Sequence, residues 1–203
     1  MRAELAALGR GLERRRPGLL GARDSYAVLC PLAETAEGLS LLFEVRAAGL
    51  RQGGEVCFPG GRMEAEESPA QCALRETEEE LAIPAAEVEL LGETDFICNQ
   101  RGFLLRPVAG WVSPRGLRAL RPSPAEVAEA FTVPVRFFRE TPPAVYHYVL
   151  TPQVPEDFPY GDVGIPRDYP WSGGEVEVPL WRWQGRSIWG MTARIVRDIV
   201  QML

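Results

Sequence analysis

The sequence predicts an α/β chain. Apolar runs of strand character, DSYAVLCPL at 24–32 and GLSLLFEVR at 38–46, precede a segment of helical spacing at 69–82. Further strand-like runs then lead to an amphipathic closing stretch, SIWGMTARIVRDIVQML.

In chain order, residues 2–16 read as a surface helix stopped by Pro17 and Gly18. The strands 24–32 and 38–46 are joined by the turn-like AETAEG, and the glycine-rich RAAGLRQGGEVCFPGG follows with a short strand, VCF, inside it. Ser68 before Pro69, with Gln71 three places after the serine, is a capping box with proline at the first helical position, so a helix is expected from Pro69. Strands are expected at 88–97 and 103–112, a short helix at 124–130, strands at 145–150 and near 178–183, and a closing helix over 187–202. Residues 151–174 are rich in Pro, Gly and Asp and read as a long loop, either facing a substrate or simply inserted. The whole of 1–203 is expected to form one domain.

Composition narrows the function classes. A net charge of -6 disfavours broad electrostatic binding to nucleic acid or an anionic membrane face, so an anionic substrate must be met locally. All 22 basic residues are arginine, which excludes lysine chemistry and suits bidentate contacts to phosphate. Cys30, Cys57, Cys72 and Cys98 form no CxxC pair, and His147 is the single histidine, which argues against a zinc finger or redox dithiol. The cysteines read as small buried hydrophobes of a reducing compartment. No apolar run approaches the ~18 residues of a spanning helix and the N-terminus lacks the charge order of a secretory signal, so a cytoplasmic location is expected.

The chemistry concentrates in GGRMEAEESPAQCALRETEEELAI, residues 60–83. On a helical wheel Glu76, Glu79 and Glu80 share one wedge, while Ala70, Leu74, Thr77 and Leu81 gather on a roughly opposite, packing face. Three like charges at i, i+3 and i+4 repel one another beyond the first turn, where the helix dipole gives no help. A hard divalent cation, Mg2+ or Mn2+, compensates them while keeping open positions for phosphate oxygens and water. Glu64, Glu66 and Glu67 extend the negative patch. Three glutamates alone would more often mean a solvated acidic face, which is common in acidic proteins.

The wider spacing decides between these. Gly61, five residues, Glu67, seven residues, Arg75-Glu76, two residues, Glu79-Glu80 is the arrangement of the Nudix box. The sequence resembles the Nudix hydrolases, which cleave a nucleoside diphosphate linked to another moiety. The resemblance implies a Nudix fold, an α/β/α sandwich with a mixed sheet, and a box at 61–83. It implies that Glu76, Glu79 and Glu80 bind metal and activate water, that Glu67 supports them, and that Arg75 orients the carboxylates. Gly60 and Gly61 would let the backbone approach the metal closely. Thr77 stands where an aliphatic residue is usual and Ala82 where glycine usually ends the helix, so an ending through Pro84 is expected.

The preceding segment 46–61, RAAGLRQGGEVCFPGG, resembles the signature of the coenzyme A diphosphatases, one residue short between Arg51 and Gly54 and with LFEVR in place of LLTxR. SIWGMTARIV from Ser187 resembles that subfamily's closing helix. This resemblance implies hydrolysis of coenzyme A or a derivative to 4'-phosphopantetheine, or its acyl form, and adenosine 3',5'-bisphosphate. Arg46 and Arg51 would be phosphate contacts. It also admits a homodimer. A further carboxylate from outside the box is expected at Glu93 or Asp95. Trp189 and Met191 read as core anchors or substrate-lining groups, and Tyr160, Tyr169, Trp171, Trp181 and Trp183 as packing or ligand-lining aromatics. A Nudix pyrophosphatase for ADP-ribose, NADH or a noncanonical nucleotide, or a silent nucleotide-binding module, stays open beside it.

Overall fold

The computed structural model describes residues 2–14, 18–21, 23–99 and 102–203. The N-terminal helix α1 is Arg2–Arg14 and buries none of its residues; the expected ending through Arg15, Arg16 and Pro17 lies outside the described residues. The strands β1 (Asp24–Thr35) and β2 (Gly38–Arg46) form a hairpin in which Thr35 pairs with Gly38. Gly38 has φ +90°, the left-handed conformation that closes so short a turn without a Cβ penalty.

After the hairpin come β3 (Val56–Cys57), β4 (Gly60–Arg62), helix α2 (Pro69–Leu81), β5 (Val88–Glu93), β6 (Ile97–Cys98) and β7 (Phe103–Val112). Helix α3 (Pro114–Ala119), β8 (Val127–Pro134) and helix α4 (Val135–Glu140) follow. The chain closes with β9 (Ala144–Leu150), the turn α5 (Tyr160–Val163), β10 (Gly174–Trp183), β11 (Arg186–Trp189) and helix α6 (Gly190–Met202). No helix among the described residues is long and apolar enough to cross a membrane.

Eight strands form one mixed sheet with the order β3-β2-β1-β7-β5, in which β1 and β7 run parallel from Asp24↔Phe103 to Leu32↔Trp111. The remaining pairs of this sheet are antiparallel: β4 joins β1, β6 joins β7 and β8 joins β2. A second sheet, β11-β10-β9, completes the fold. The large sheet is covered on both faces. Ala27, Leu29, Ala33 and Leu42 face α2, meeting its Cys72, Ala73 and Leu81. Cys30, Leu32, Leu41 and Phe43 point the other way and pack with Phe138, Trp181 and the Ile195, Val196 and Ile199 of α6. Alternating residues of β1 and β2 thus serve opposite layers, the pleat's period of two at work.

Several local expectations need correction. Residues 124–130 are not a helix: PAEVAEA has helical composition, but pairing of Val127–Pro134 with β2 overrides that weak preference. The stretch 88–97 is broken into β5 and the two-residue β6. The closing helix starts at Gly190, because Arg186–Trp189 pair with β10 as β11. Trp189 and Met191 are exposed, at 44% and 39%, and are no core anchors. Cys30 and Cys72 are buried as expected, whereas Cys98 is exposed.

Candidate active site

The site is built where the β3–β4 connection meets α2. Ser68 caps that helix: its hydroxyl accepts from the Gln71 N–H at 3.3 Å, and the Gln71 side chain accepts from the Ser68 N–H at 2.9 Å. The helix ends at Ala82, itself left-handed with φ 54°, so the cap does not need the following proline. Thr77 is buried and its hydroxyl donates to the Ala73 carbonyl at 2.6 Å, which satisfies the polar atom inside the packing.

The buried residues of α2 are Pro69, Cys72, Ala73, Thr77, Glu80 and Leu81. Glu80 therefore lies in the packing stripe and not on the solvent face, and Leu74 is only half-buried, which corrects the expected division of the helix. Around the axis the three box glutamates grade from buried to open. Glu80 is 5% exposed, the side chain of Glu76 is 16% exposed and that of Glu79 57%.

Arg75 is the hub of the cluster. Its Nε donates to Glu67 Oε1 at 3.0 Å, its Nη1 to Glu76 Oε1 at 2.8 Å and to Glu79 Oε2 at 3.2 Å, and its Nη2 to Glu67 Oε2 at 3.2 Å. A planar fork that always carries charge can hold three carboxylates at once. These hydrogen bonds keep the Glu67 carboxyl below its ordinary range, while the guanidinium is pushed further up. Glu67 also accepts from the Glu64 N–H at 2.9 Å, so the loop before the helix is tied to the same hub.

The two glycines fit this cluster for different reasons. A Cβ on Gly61 would lie 2.3 Å from Glu76 Oε1, so the missing side chain is the space the carboxylate occupies. A Cβ on Gly60 would meet the Ala27 carbonyl oxygen at 2.3 Å, so that glycine permits the close pairing of β4 with β1. The Gly60 N–H donates to Glu80 Oε2 at 2.8 Å.

Sequence reasoning missed two acidic residues that the fold brings to this place. Glu44 of β2, 1% exposed, sits on the same face as Leu42, the face that α2 covers. Its Oε1 accepts from the Cys57 thiol at 3.3 Å, and its Oε2 has no hydrogen-bond partner. Glu126 precedes β8, and its charge acts on Glu44, Glu76 and Glu80. Burial first, then the neighbouring charges, raises the carboxyls of Glu44, Glu76 and Glu80. Glu93 instead pairs with Arg106 at 2.6 Å, and Asp95 lines a cleft of about 310 Å³ with Arg194, Arg197 and Asp198 of α6.

Arg46 and Arg51 come together at the loop before β3. Arg46 Nε donates to the Arg51 carbonyl at 3.3 Å, the Gly54 N–H returns to the Arg46 carbonyl at 2.9 Å, and the Arg51 side chain is exposed. The shorter loop is accommodated by Gln52 at φ 60° and by Gly53, where a Cβ would press on the Ala47 and Ala48 carbonyls at 2.7 Å.

The donor set suits a hard divalent cation: clustered carboxylate oxygens, mutually repelling, with one buried oxygen orphaned. Among the described residues no three acidic, thiol or imidazole groups are already placed to hold an ion together; Arg75 instead occupies oxygens of Glu67, Glu76 and Glu79, and the Gly60 N–H one of Glu80.

The mixed sheet between helices and this glutamate-arginine hub define a Nudix hydrolase, and the chain belongs to that family: the NUDIX domain profile matches residues 25–141. Among its relatives, a Photorhabdus laumondii protein named "Uncharacterized Nudix hydrolase NudL" is 33% identical over 166 residues, covering 81% of this chain and 77% of that protein. The human "Mitochondrial coenzyme A diphosphatase NUDT8" is 28% identical over 184 residues, covering 88% of this chain and 69% of that protein. The crystal structure of a Nudix hydrolase from M. smegmatis, RenU, matches with a TM-score of 0.50 at 24% identity, over 58% of this chain and 74% of that one, which shows the common fold. Nudix hydrolases generally use divalent metal ions.

Proposed function

We propose that this chain hydrolyses the diphosphate linkage of coenzyme A or a derivative, yielding 4'-phosphopantetheine, or its acyl form, and adenosine 3',5'-bisphosphate, with Mg2+ or Mn2+ bound. The observation that carries the reaction is the Arg75 hub, which gathers Glu67, Glu76 and Glu79 beside Gly61 and the buried Glu80. The substrate reading is supported by the 46–61 segment and by the likeness to a relative named as a coenzyme A diphosphatase. We take 1–203 as one domain, because Trp181, Ile188 and Ile195 share a core with Cys30 and Phe43.

In this reading Glu76, Glu79 and Glu80 would hold a divalent ion, whose charge would offset that of the diphosphate and ease deprotonation of the attacking water. Arg75 fixes the directions of Glu76 and Glu79, and Glu67 fixes Arg75. Gly60 contributes its N–H to Glu80, and Gly61 leaves room for Glu76. Water attacks one phosphorus, the bridging P–O bond breaks, and a glutamate of the set takes the water's proton. Arg46 and Arg51, at the loop leading to the site, would meet substrate phosphate.

The test is product analysis by mass spectrometry with coenzyme A, acyl-coenzyme A, ADP-ribose, NADH and dNTPs, each with Mg2+ or chelator. Metal-dependent release of 4'-phosphopantetheine well above the other rates is expected, with loss of turnover in Glu79→Gln. Faster turnover of another diphosphate refutes the substrate, and no turnover of any compound points to a silent module.

A further inference from the structure

We propose that Glu44 is an additional carboxylate ligand, delivered from β2 to the cation that Glu80 holds. This rests on the reading of the box glutamates as cation holders. It concerns a residue outside the box, at a position where LFEVR departs from LLTxR.

Three observations carry it. Glu44 is 1% exposed, yet its Oε2 has no hydrogen-bond partner, while Oε1 is held by the Cys57 thiol at 3.3 Å. A buried carboxylate oxygen left unpaired is costly, so its retention calls for a partner. Three groups of its own sign act on Glu44, namely Glu80, Glu76 and Glu126. Arg46 acts in the opposite sense, and more strongly than Glu126 or Glu76 singly, but it does not bond the orphaned Oε2. Finally, the pleat of β2 sets Glu44 two residues from Leu42 on the face toward α2, and the Gly60 N–H draws Glu80 in from that helix. One cation between these two carboxylates satisfies the orphaned oxygen and relieves the repulsion together. Mg2+ and Mn2+ both accept oxygen ligands of this kind.

The two residues would have distinct duties. The box glutamates ride on a helix whose outer side meets solvent, whereas Glu44 stands on a strand buried on both faces. Glu44 would thus anchor the ion to the sheet and leave the outer positions to phosphate and water.

The experiment is titration of the metal-free full chain with Mn2+, read by electron paramagnetic resonance of the free ion, for wild type, Glu44→Gln and Glu44→Thr. Thermal melts in chelator and in Mn2+ accompany it. The expected result is Mn2+ binding by wild type, weakened about tenfold or more, or short by one ion, in both variants. Their melting temperatures in chelator should be equal or higher, because a buried like charge has gone, and their gain on adding Mn2+ smaller. Wild-type isotherms in both variants overturn the inference while leaving the box reading intact. Lower metal-free melting temperatures with unchanged Mn2+ affinity also overturn it, and assign Glu44 to holding Cys57. Absence of Mn2+ binding by wild type overturns the box reading and this inference together. If Glu44→Gln does not fold, the threonine variant decides alone.

Discussion

Adjacent glycines at 60 and 61 should fail in opposite ways when each is replaced by alanine. In Gly61→Ala the new Cβ would stand 2.3, 2.4 and 2.6 Å from Glu76 Oε1, Cδ and Oε2, where ordinary contact begins near 3.4 Å. The carboxylate must retreat by about 1 Å, and its 2.8 Å bond to Arg75 Nη1 is lost or lengthened. A misplacement of that size at a reacting centre costs on the order of 10²-fold in rate. Stability should change by less than about 1 kcal/mol, since what moves is the end of a side chain in a partly exposed ion pair. In Gly60→Ala the Cβ would instead lie 2.3 Å from the Ala27 carbonyl oxygen and 2.5 Å from Val28 Cα. These are backbone atoms of the strand paired with β4, so relief requires that β4 and β1 part. Overpacking of this kind costs about 1–3 kcal/mol. Urea-unfolding midpoints and turnover of the best substrate from the panel separate the two effects. Gly61→Ala within threefold of wild-type turnover, or Gly60→Ala as stable as wild type, would refute the reasoning.

Three further outcomes follow from the same geometry. Ala82→Gly should stabilise the protein by about 0.5–1 kcal/mol, because Ala82 sits at φ 54°, where a Cβ is penalised; an unchanged or lower urea midpoint contradicts this. Ser68→Ala should cost about 1 kcal/mol by removing the acceptor for the Gln71 N–H, and a midpoint equal to wild type would show that the cap is idle. The metal-free protein should lose stability as pH rises. Glu44 and Glu80 have folded values raised from about 4.5 to about 7 and about 8, so the folded state holds more protons than the unfolded one between those limits. The stability is therefore full below about pH 4.5 and is lost toward pH 8, by up to about 1.4 kcal/mol per pH unit for each retained proton. Melts in chelator from pH 5 to pH 8, within that window, check it; a melting temperature that rises with pH contradicts the assignment.

What the sequence discloses depends on how local the signal is. The hairpin strand 38–46, the strand 103–112 and the start of α2 carry their own markers: apolar-rich runs with only isolated polar residues in the first two, and a reciprocal serine-glutamine cap in the third. The strand Val127–Pro134 is hidden because PAEVAEA at 124–130, which overlaps its start, has the composition of a helix, and only β2 beside it settles the matter. Helix α3 begins with Ser113–Pro114, the same start as Ser68–Pro69, but six residues are too few to show a period. The spacing from Gly61 to Glu80 exposes the carboxylates and their arginine, since one helix and its lead-in carry them. Glu44 is invisible by the same reasoning. Strand β2 is buried on both faces, so alternation alone leaves open which side of it meets the helix. The division of α2 is misjudged for a related reason: a glutamate in the packing stripe reads as solvent-facing until the orphaned charge around it is known.

The end of α2 is held from outside by two main-chain bonds. The Arg121 N–H donates to the Leu81 carbonyl at 2.8 Å, and the Ser123 N–H donates to the Glu80 carbonyl at 2.7 Å. A helix leaves its last carbonyls without partners, and here the 121–126 loop supplies them. That same loop carries Glu126 and fastens it through the Ala47 N–H, which donates to the Glu126 carbonyl at 2.8 Å. The peptide units that finish the helix therefore also set the distance between its glutamates and a carboxylate more than forty positions further along. Lengthening this loop would change two things at once, the fraying of α2 and the charge facing Glu80, so its length is under joint constraint from folding and from chemistry.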